Sequence, residues 1–143
     1  MKLKIITIGE PKLSFAKDGF SEYIKRLKAF HKISVVHMKD GLEDEKILLE
    51  LDNKFTVVLD EGGKEFSSKE LAHFLDEKAV QGVSEINFLV GGPDGHSDTI
   101  KERADYLWSF GKMTLPHDLA MVVLAEALYR ASTIHINHPY HRE

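Results

Sequence analysis

The chain has 143 residues, of which 43% are hydrophobic and 29% are charged, so it has the composition of a soluble globular protein and the length of one domain, 1–143. It has no cysteine, no apolar run that could span a bilayer and no signal-peptide pattern, so we expect a cytoplasmic protein with no membrane partner. The net charge of −4 combines +6 over residues 1–39 (nine Lys/Arg, three Asp/Glu) with −10 over residues 40–143 (ten and twenty).

Hydrophobic periodicity predicts strands that alternate with helices along the whole chain. The predicted strands are 2–8, 33–38, 55–59 and 85–90, with a further short strand inside 106–115. The predicted helices are 14–30, 45–51, 67 or 68 to about 82, 97–105 and a last one with Pro116 at its first helical position. This alternation predicts an α/β fold with a mostly parallel sheet.

The basic N-terminal region, which includes Lys17, Lys25 and Lys28, is open to two interpretations. Charge asymmetry of this kind can mark a nucleic-acid face. The same lysines could instead be scattered, solvated positions, and the net negative charge argues against non-specific binding of nucleic acid.

Two glycine-rich segments follow predicted strands. Asp60-Glu61-Gly62-Gly63 follows the third strand, and Gly91-Gly92-Pro93-Asp94-Gly95 follows the fourth. Ligands of open α/β sheets bind outside the carboxyl ends of the strands, and glycine lets them approach the backbone. Plain turn chemistry explains the same letters. Neither segment fits the Walker loop or the dinucleotide fingerprint, which argues against ATP and NAD.

The last helix is apolar on nearly all sides. Between Leu119 and Ala131 the only charged residues are Glu126 and Arg130, one turn apart. A helix of this kind is buried all round, and in so small a chain a homodimer interface is the economical explanation. The two charges could form an i,i+4 ion pair with a structural role or act directly in catalysis.

The C-terminal tail carries an unusual density of reactive side chains, among them His138, Tyr140, His141 and Arg142. This density suggests that the terminus is docked and functional. His135, His138 and His141 are spaced three apart, but such spacing on an irregular tail is not diagnostic of a metal site, and we predict none.

Several segments occur in an order that resembles the YbeA/RlmH family of the SPOUT superfamily over essentially the whole chain. They are Leu59-Asp60, the loop 88–95, Thr114-Leu115-Pro116-His117, Leu128-Tyr129-Arg130-Ala131 and the terminal 138–143. The resemblance implies a homodimeric α/β fold with a C-terminal trefoil knot. It further implies methylation of N3 of a pseudouridine in large-subunit ribosomal RNA, with S-adenosylmethionine as the methyl donor.

Carried over by motif, the resemblance also implies the site residues. The cofactor contacts are Leu59, Gly91 and a loop made of Phe110, Gly111, Lys112, Met113, Thr114 and Leu115. The catalytic group is the tail: His141 or His138 as the base, Tyr140 for stacking or a hydrogen bond, and Arg142 for a phosphate or an imide oxygen. Two departures, Met121 for a usual arginine and Ala127 for a usual glutamine, bear on RNA binding.

Two other functions fit the residues alone. A ribosome-binding assembly factor without catalysis could use the same tail, and it would not need to bind S-adenosylmethionine. A metal-dependent hydrolase could use the histidines, and metal analysis of the purified protein would identify it.

Overall fold

The computed structural model describes residues 1–141 as an α/β structure built on one sheet. The strands are β1 (Lys2–Ile8), β2 (Lys32–Met38), β3 (Phe55–Glu65), β4 (Glu85–Val90) and β5 (Tyr106–Ser109). The helices are α1 (Ser14–Leu27), α2 (Asp44–Leu51), α3 (Ser68–Val80), α4 (Asp98–Arg103) and α5 (His117–His135). None of these described helices is both long and apolar enough to cross a membrane.

The sheet order is β2-β1-β4-β3-β5, and every pair of neighbouring strands is parallel. The predicted α/β fold with a parallel sheet is therefore confirmed. The central strands are apolar on both sides because helices cover both faces of the sheet. The core on one face includes Phe20 of α1, Leu71 of α3 and Leu124 of α5, whereas Ile47 of α2 and Ile100 of α4 pack on the other.

Strand β3 differs from the sequence prediction, which ended it at residue 59. The strand continues to Glu65, and its pairing with β5 shifts register so that Trp108 lies opposite both Leu59 and Lys64. The intervening residues bulge from the ladder. Gly63 permits this because a β-carbon there would lie 2.5 Å from the Leu107 carbonyl oxygen. The glycines thus allow β3 to pair with β5 again after the bulge, so the strand does not end at residue 59.

Helix α5 runs the full depth of the molecule beside α1. Its Met121, Leu124 and Leu128 are fully buried, which matches one predicted apolar face. Pro116 is the N-cap rather than the first helical residue, one position from the prediction. Met121, one of the two departures from the family pattern, is therefore a core residue.

Candidate functional site

A cavity of about 910 Å³ lies at the carboxyl edge of the sheet. Three chain segments form its walls: the bulge of β3, the loop after β4, and the loop after β5 that leads into α5. The floor is Trp108, which is buried and packs its ring against Phe110 at 4.9 Å. The cavity thus occupies the edge at which ligands bind in parallel α/β sheets.

Side-chain bonds hold the walls together. Thr114 donates a hydrogen bond of 2.9 Å to Glu61, which joins the loop after β5 to the β3 bulge. Lys101 of α4 lies 3.3 Å from Asp60 across the opening. Each bond joins segments far apart in sequence, so the cavity walls come together only in the folded chain.

His96 lies directly against Gly91 inside the cavity. A β-carbon on Gly91 would be 2.9 Å from Nε2 of His96, so only glycine leaves room for the ring. The backbone of Leu59 also faces the ring and favours its protonated form, so the ring lies between the ends of β3 and β4. Nε2 is buried and has no partner among the described residues, and burial lowers the pKa of the imidazole.

The charged lining of the cavity is mainly acidic. Asp60, Glu61 and Asp94 line it together with one lysine, Lys101. At the start of α5, His117 also lines the cavity, with Nδ1 3.4 Å from Asp118. An acidic lining of this kind favours a ligand that carries positive charge.

Asp118 fixes the start of α5 against the start of α1. Its carboxylate accepts the backbone N–H groups of Lys12 at 2.8 Å and Leu13 at 2.7 Å. Burial alone would raise the pKa of Asp118, but the two amide donors and His117 hold it below its usual value. The carboxylate therefore stays ionised and orients His117 toward the cavity.

The C-terminal tail folds back onto the far end of α5. The ring of Tyr140 packs edge-on against Tyr129 at 4.6 Å, and the guanidinium of Arg130 lies 4.9 Å from its centre. Its hydroxyl lies 3.2 Å from that of Tyr23 and 3.4 Å from Glu126. Burial, and then the bond to Tyr23, raise the pKa of the phenol, so it remains protonated at neutral pH.

The predicted ion pair of α5 is part of this tail anchor. Arg130 Nε lies 3.1 Å from Glu126, one turn away, and both side chains are partly buried. Arg130 thus holds the Glu126 carboxylate, which faces the Tyr140 hydroxyl. Its position therefore supports a role in placing the tail.

The histidines of the tail differ in exposure. His138 is exposed, and its Nδ1 accepts a hydrogen bond of 3.1 Å from the backbone N–H of Tyr140. Both ring nitrogens of His141 are buried. Arg142, the remaining predicted catalytic residue, lies outside the described residues.

The structure brings most of the predicted cofactor residues together. Seven of the eight line the cavity: Leu59, Gly91, Phe110, Gly111, Met113, Thr114 and Leu115. Lys112 does not line it. The sequence analysis missed His96 as a site residue and named His117 only within a family motif. Gly91 and His96 both belong to the loop after β4, so their contact depends on the conformation of that loop, which no local sequence pattern revealed.

The cavity and the tail do not meet within one copy of the chain. The cavity lies at the first turn of α5, and the tail packs beside the second half of the helix, from Glu126 onward. At 1.5 Å per residue, Glu126 lies about 14 Å along the helix axis from His117. Among the described residues, none of the tail lines the cavity.

Sequence comparison identifies relatives over the full chain. The family model described as "Predicted SPOUT methyltransferase" matches residues 1–141. A protein of Deinococcus radiodurans named ribosomal RNA large subunit methyltransferase H is 49% identical, with 99% of each chain covered. A protein of the same name from Streptococcus agalactiae is 40% identical, with 99% of this chain and all of the relative covered.

Solved structures show the same fold at low identity. A probable methylase family protein from Haemophilus influenzae superposes with a TM-score of 0.58 at 12% identity and covers 99% of this chain and 70% of its own. The SpoU methyltransferase AviRb from Streptomyces viridochromogenes, solved in complex with AdoMet, gives 0.51 at 12% identity, with 96% and 61% covered. These likenesses support the fold assignment alone.

Proposed function

The chain belongs to the SPOUT methyltransferase family, and we propose that it methylates N3 of a pseudouridine in large-subunit ribosomal RNA with S-adenosylmethionine as donor. The observation that carries the proposal is the cavity at the carboxyl edge, because it gathers seven of the eight residues that the family resemblance assigns to the cofactor. The names of the full-length relatives support ribosomal RNA as the substrate.

The cavity fits a cofactor of this kind. Its volume of about 910 Å³ is within the range for small-molecule sites. When bound there, S-adenosylmethionine would supply an electrophilic methyl group on a positively charged sulfur. Asp60, Glu61 and Asp94 would favour that charge, and Trp108 and Phe110 would offer the apolar surface that an adenine ring needs.

The tail would act on the base that receives the methyl group. Methylation of N3 requires loss of the imide proton, so a proton acceptor assists the reaction. Since Nδ1 of His138 accepts from the Tyr140 amide, its neutral form carries the proton on Nε2. His138 can therefore donate to an imide oxygen, which leaves His141 as the acceptor. The buried nitrogens of His141 would become accessible when the tail engages RNA.

A homodimer would unite the two halves of the site. At the start of α1, Leu13 and Phe15 are 52% and 57% exposed, and beside them Leu119 and Val123 of α5 are 36% and 37% exposed. A two-fold axis perpendicular to α5 would pack these patches together and run the two copies of α5 in opposite directions. Each tail would then reach the partner's cavity.

The activity is tested by incubating the protein and labelled S-adenosylmethionine with ribosomes that lack the modification, followed by mapping of the label. We expect one labelled pseudouridine in the large-subunit RNA and binding of S-adenosylhomocysteine in calorimetry. Cofactor binding without transfer would favour the assembly-factor alternative, and absence of both would contradict the proposal.

The shared site is tested by mixing two inactive variants. One carries Gly91→Val in the cavity, and the other lacks residues 138–143. If each site combines one cavity with the partner's tail, an equal mixture regains about one quarter of wild-type activity, because half of the dimers are mixed and each has one intact site. Light scattering shows whether each variant remains dimeric. No recovery from two dimeric, exchanging variants would contradict the shared site.

A further inference from the structure

A second, basic groove lies at the amino edge of the sheet, opposite the cavity. Its volume is about 690 Å³, and it lies where α1 ends and β1, β2 and β4 begin. Three lysines line it, Lys2, Lys28 and Lys32, together with one carboxylate, Glu85. The proposed methyl transfer uses none of these residues.

The charges of this groove are available to a ligand. Glu85 lies 3.6 Å from Lys2 and offsets that charge. Lys28 and Lys32 are exposed and form no ion pair within residues 1–141. The groove therefore concentrates free positive charge on a chain whose net charge is −4. Two adjacent lysines on an otherwise acidic protein favour a polyanion.

Packing links the groove to the tail. His31, which lines the groove, hydrogen-bonds through Nε2 to Ser132 of α5 at 3.0 Å. The ring of Phe30, also in the groove, lies 6.0 Å from Tyr129. Tyr129 in turn carries the ring of Tyr140. The groove and the docked tail thus contact the same last turns of α5, and only a single layer of side chains separates them.

We propose that the groove lined by Lys28 and Lys32 binds the phosphodiester backbone of the RNA substrate beside the tail, an inference that rests on the proposed function. A strand whose target base is held by the tail would extend its neighbouring phosphates toward this groove, because both pack against the last turns of α5. Phosphate contacts of this kind position RNA without reading its sequence. The groove thereby orients the substrate, and the tail selects the base.

The test uses the full-length double variant Lys28→Gln/Lys32→Gln. The matched control is Lys46→Gln/Lys69→Gln, which removes the same charge from exposed positions on α2 and α3. Methyl transfer to unmodified ribosomes is measured over a range of potassium chloride concentrations, with calorimetry of S-adenosylhomocysteine alongside. A labelled RNA hairpin, titrated without cofactor, reports RNA binding directly.

We expect the groove variant to raise KM for ribosomes about tenfold at physiological salt and to reduce the salt slope of log(kcat/KM) by about 1.4, since each contact to single-stranded RNA contributes roughly 0.7. Its kcat and cofactor affinity should equal those of the control. Equal KM and slope in the two double variants would overturn the proposal. Binding of inorganic phosphate alone would also overturn the proposal. In that case phosphate would raise the melting temperature of wild type but not of the groove variant, and the two proteins would have the same KM for ribosomes.

The outcome separates this inference from the proposed function. If wild-type protein transfers no methyl group, the proposed function fails, and the hairpin titration still decides whether the groove binds RNA. If wild-type protein is active and the groove variant behaves like its control in both assays, only the groove assignment fails.

Discussion

The contact between Gly91 and His96 predicts how stability and cofactor affinity respond when one methyl group is added to the cavity wall. The substitution Gly91→Ala would place a β-carbon 2.9 Å from Nε2 and 3.0 Å from Cε1 of His96. An ordinary contact between such atoms is at least about 3.4 Å, so the ring would have to move by several tenths of an ångström. The backbone of Leu59 also faces the ring.

The cost follows from the two ways in which the ring can respond. If it stays, overpacking costs about 1–3 kcal/mol in the free energy of unfolding. If it swings away, the ring occupies space that the cofactor needs. A displaced ring that costs about 1–2 kcal/mol of binding energy would raise the dissociation constant for S-adenosylhomocysteine about 5- to 30-fold.

A double-mutant cycle isolates this contact. Urea unfolding and calorimetry with S-adenosylhomocysteine are compared for wild type, Gly91→Ala, His96→Ala and the double variant. With the ring removed, the added methyl group should cost less than about 0.5 kcal/mol in stability and leave affinity nearly unchanged relative to His96→Ala. An equal cost of Gly91→Ala in both backgrounds would refute the reasoning, as would no cost in the wild-type background.

Three further outcomes follow from the structure. Gly63→Ala should lower the free energy of unfolding by about 1–3 kcal/mol, because its β-carbon would meet the Leu107 backbone. Gly62→Ala should change the free energy of unfolding little, because its β-carbon would meet only the movable end of a side chain. Equal melting temperatures of the two variants would contradict this reasoning. Burial lowers the pKa of His96, so below about pH 6.5 the unfolded chain binds more protons than the folded chain, and the free energy of unfolding falls as the pH decreases. In His96→Leu, urea titrations should show a smaller fall in the free energy of unfolding between pH 7 and pH 5. The same fall in this variant and in wild type would contradict the prediction. Tyr140→Phe keeps the ring contacts but loses the hydroxyl bonds, so methyl transfer should fall while calorimetry shows unchanged cofactor affinity; full activity would remove the hydroxyl from the tail's anchor.

Elements with local signals were predicted closely from the sequence. Strand β4 lies at the predicted residues 85–90, and β1 at 2–8. Helix α3 begins with the capping box that Ser67 and Glu70 suggest, with both reciprocal hydrogen bonds present. These features depend on neighbours within a few residues, so the sequence determines them without knowledge of the fold.

Features that depend on distant neighbours were predicted less well. The continuation of β3 to Glu65 requires β5 as a partner, so the glycines were interpreted as a strand end. The two-sided apolar character of α5 predicted burial all round, but Leu119 and Val123 are exposed in the single chain. Their burial by a second copy stays a prediction.

In the proposed antiparallel dimer, the uneven distribution of charge along each chain would contribute to assembly of the active site. One end of each copy carries the acidic cavity, which suits a cationic methyl donor, and the other carries the tail and the basic groove, which suit RNA. Within one copy the tail first meets α5 at Glu126, about 14 Å along the helix axis from its start at the cavity, and no described tail residue lines the cavity. An antiparallel pair would bring the basic end of each copy beside the acidic end of its partner. Association would then align opposite charges and complete the active site in the same step.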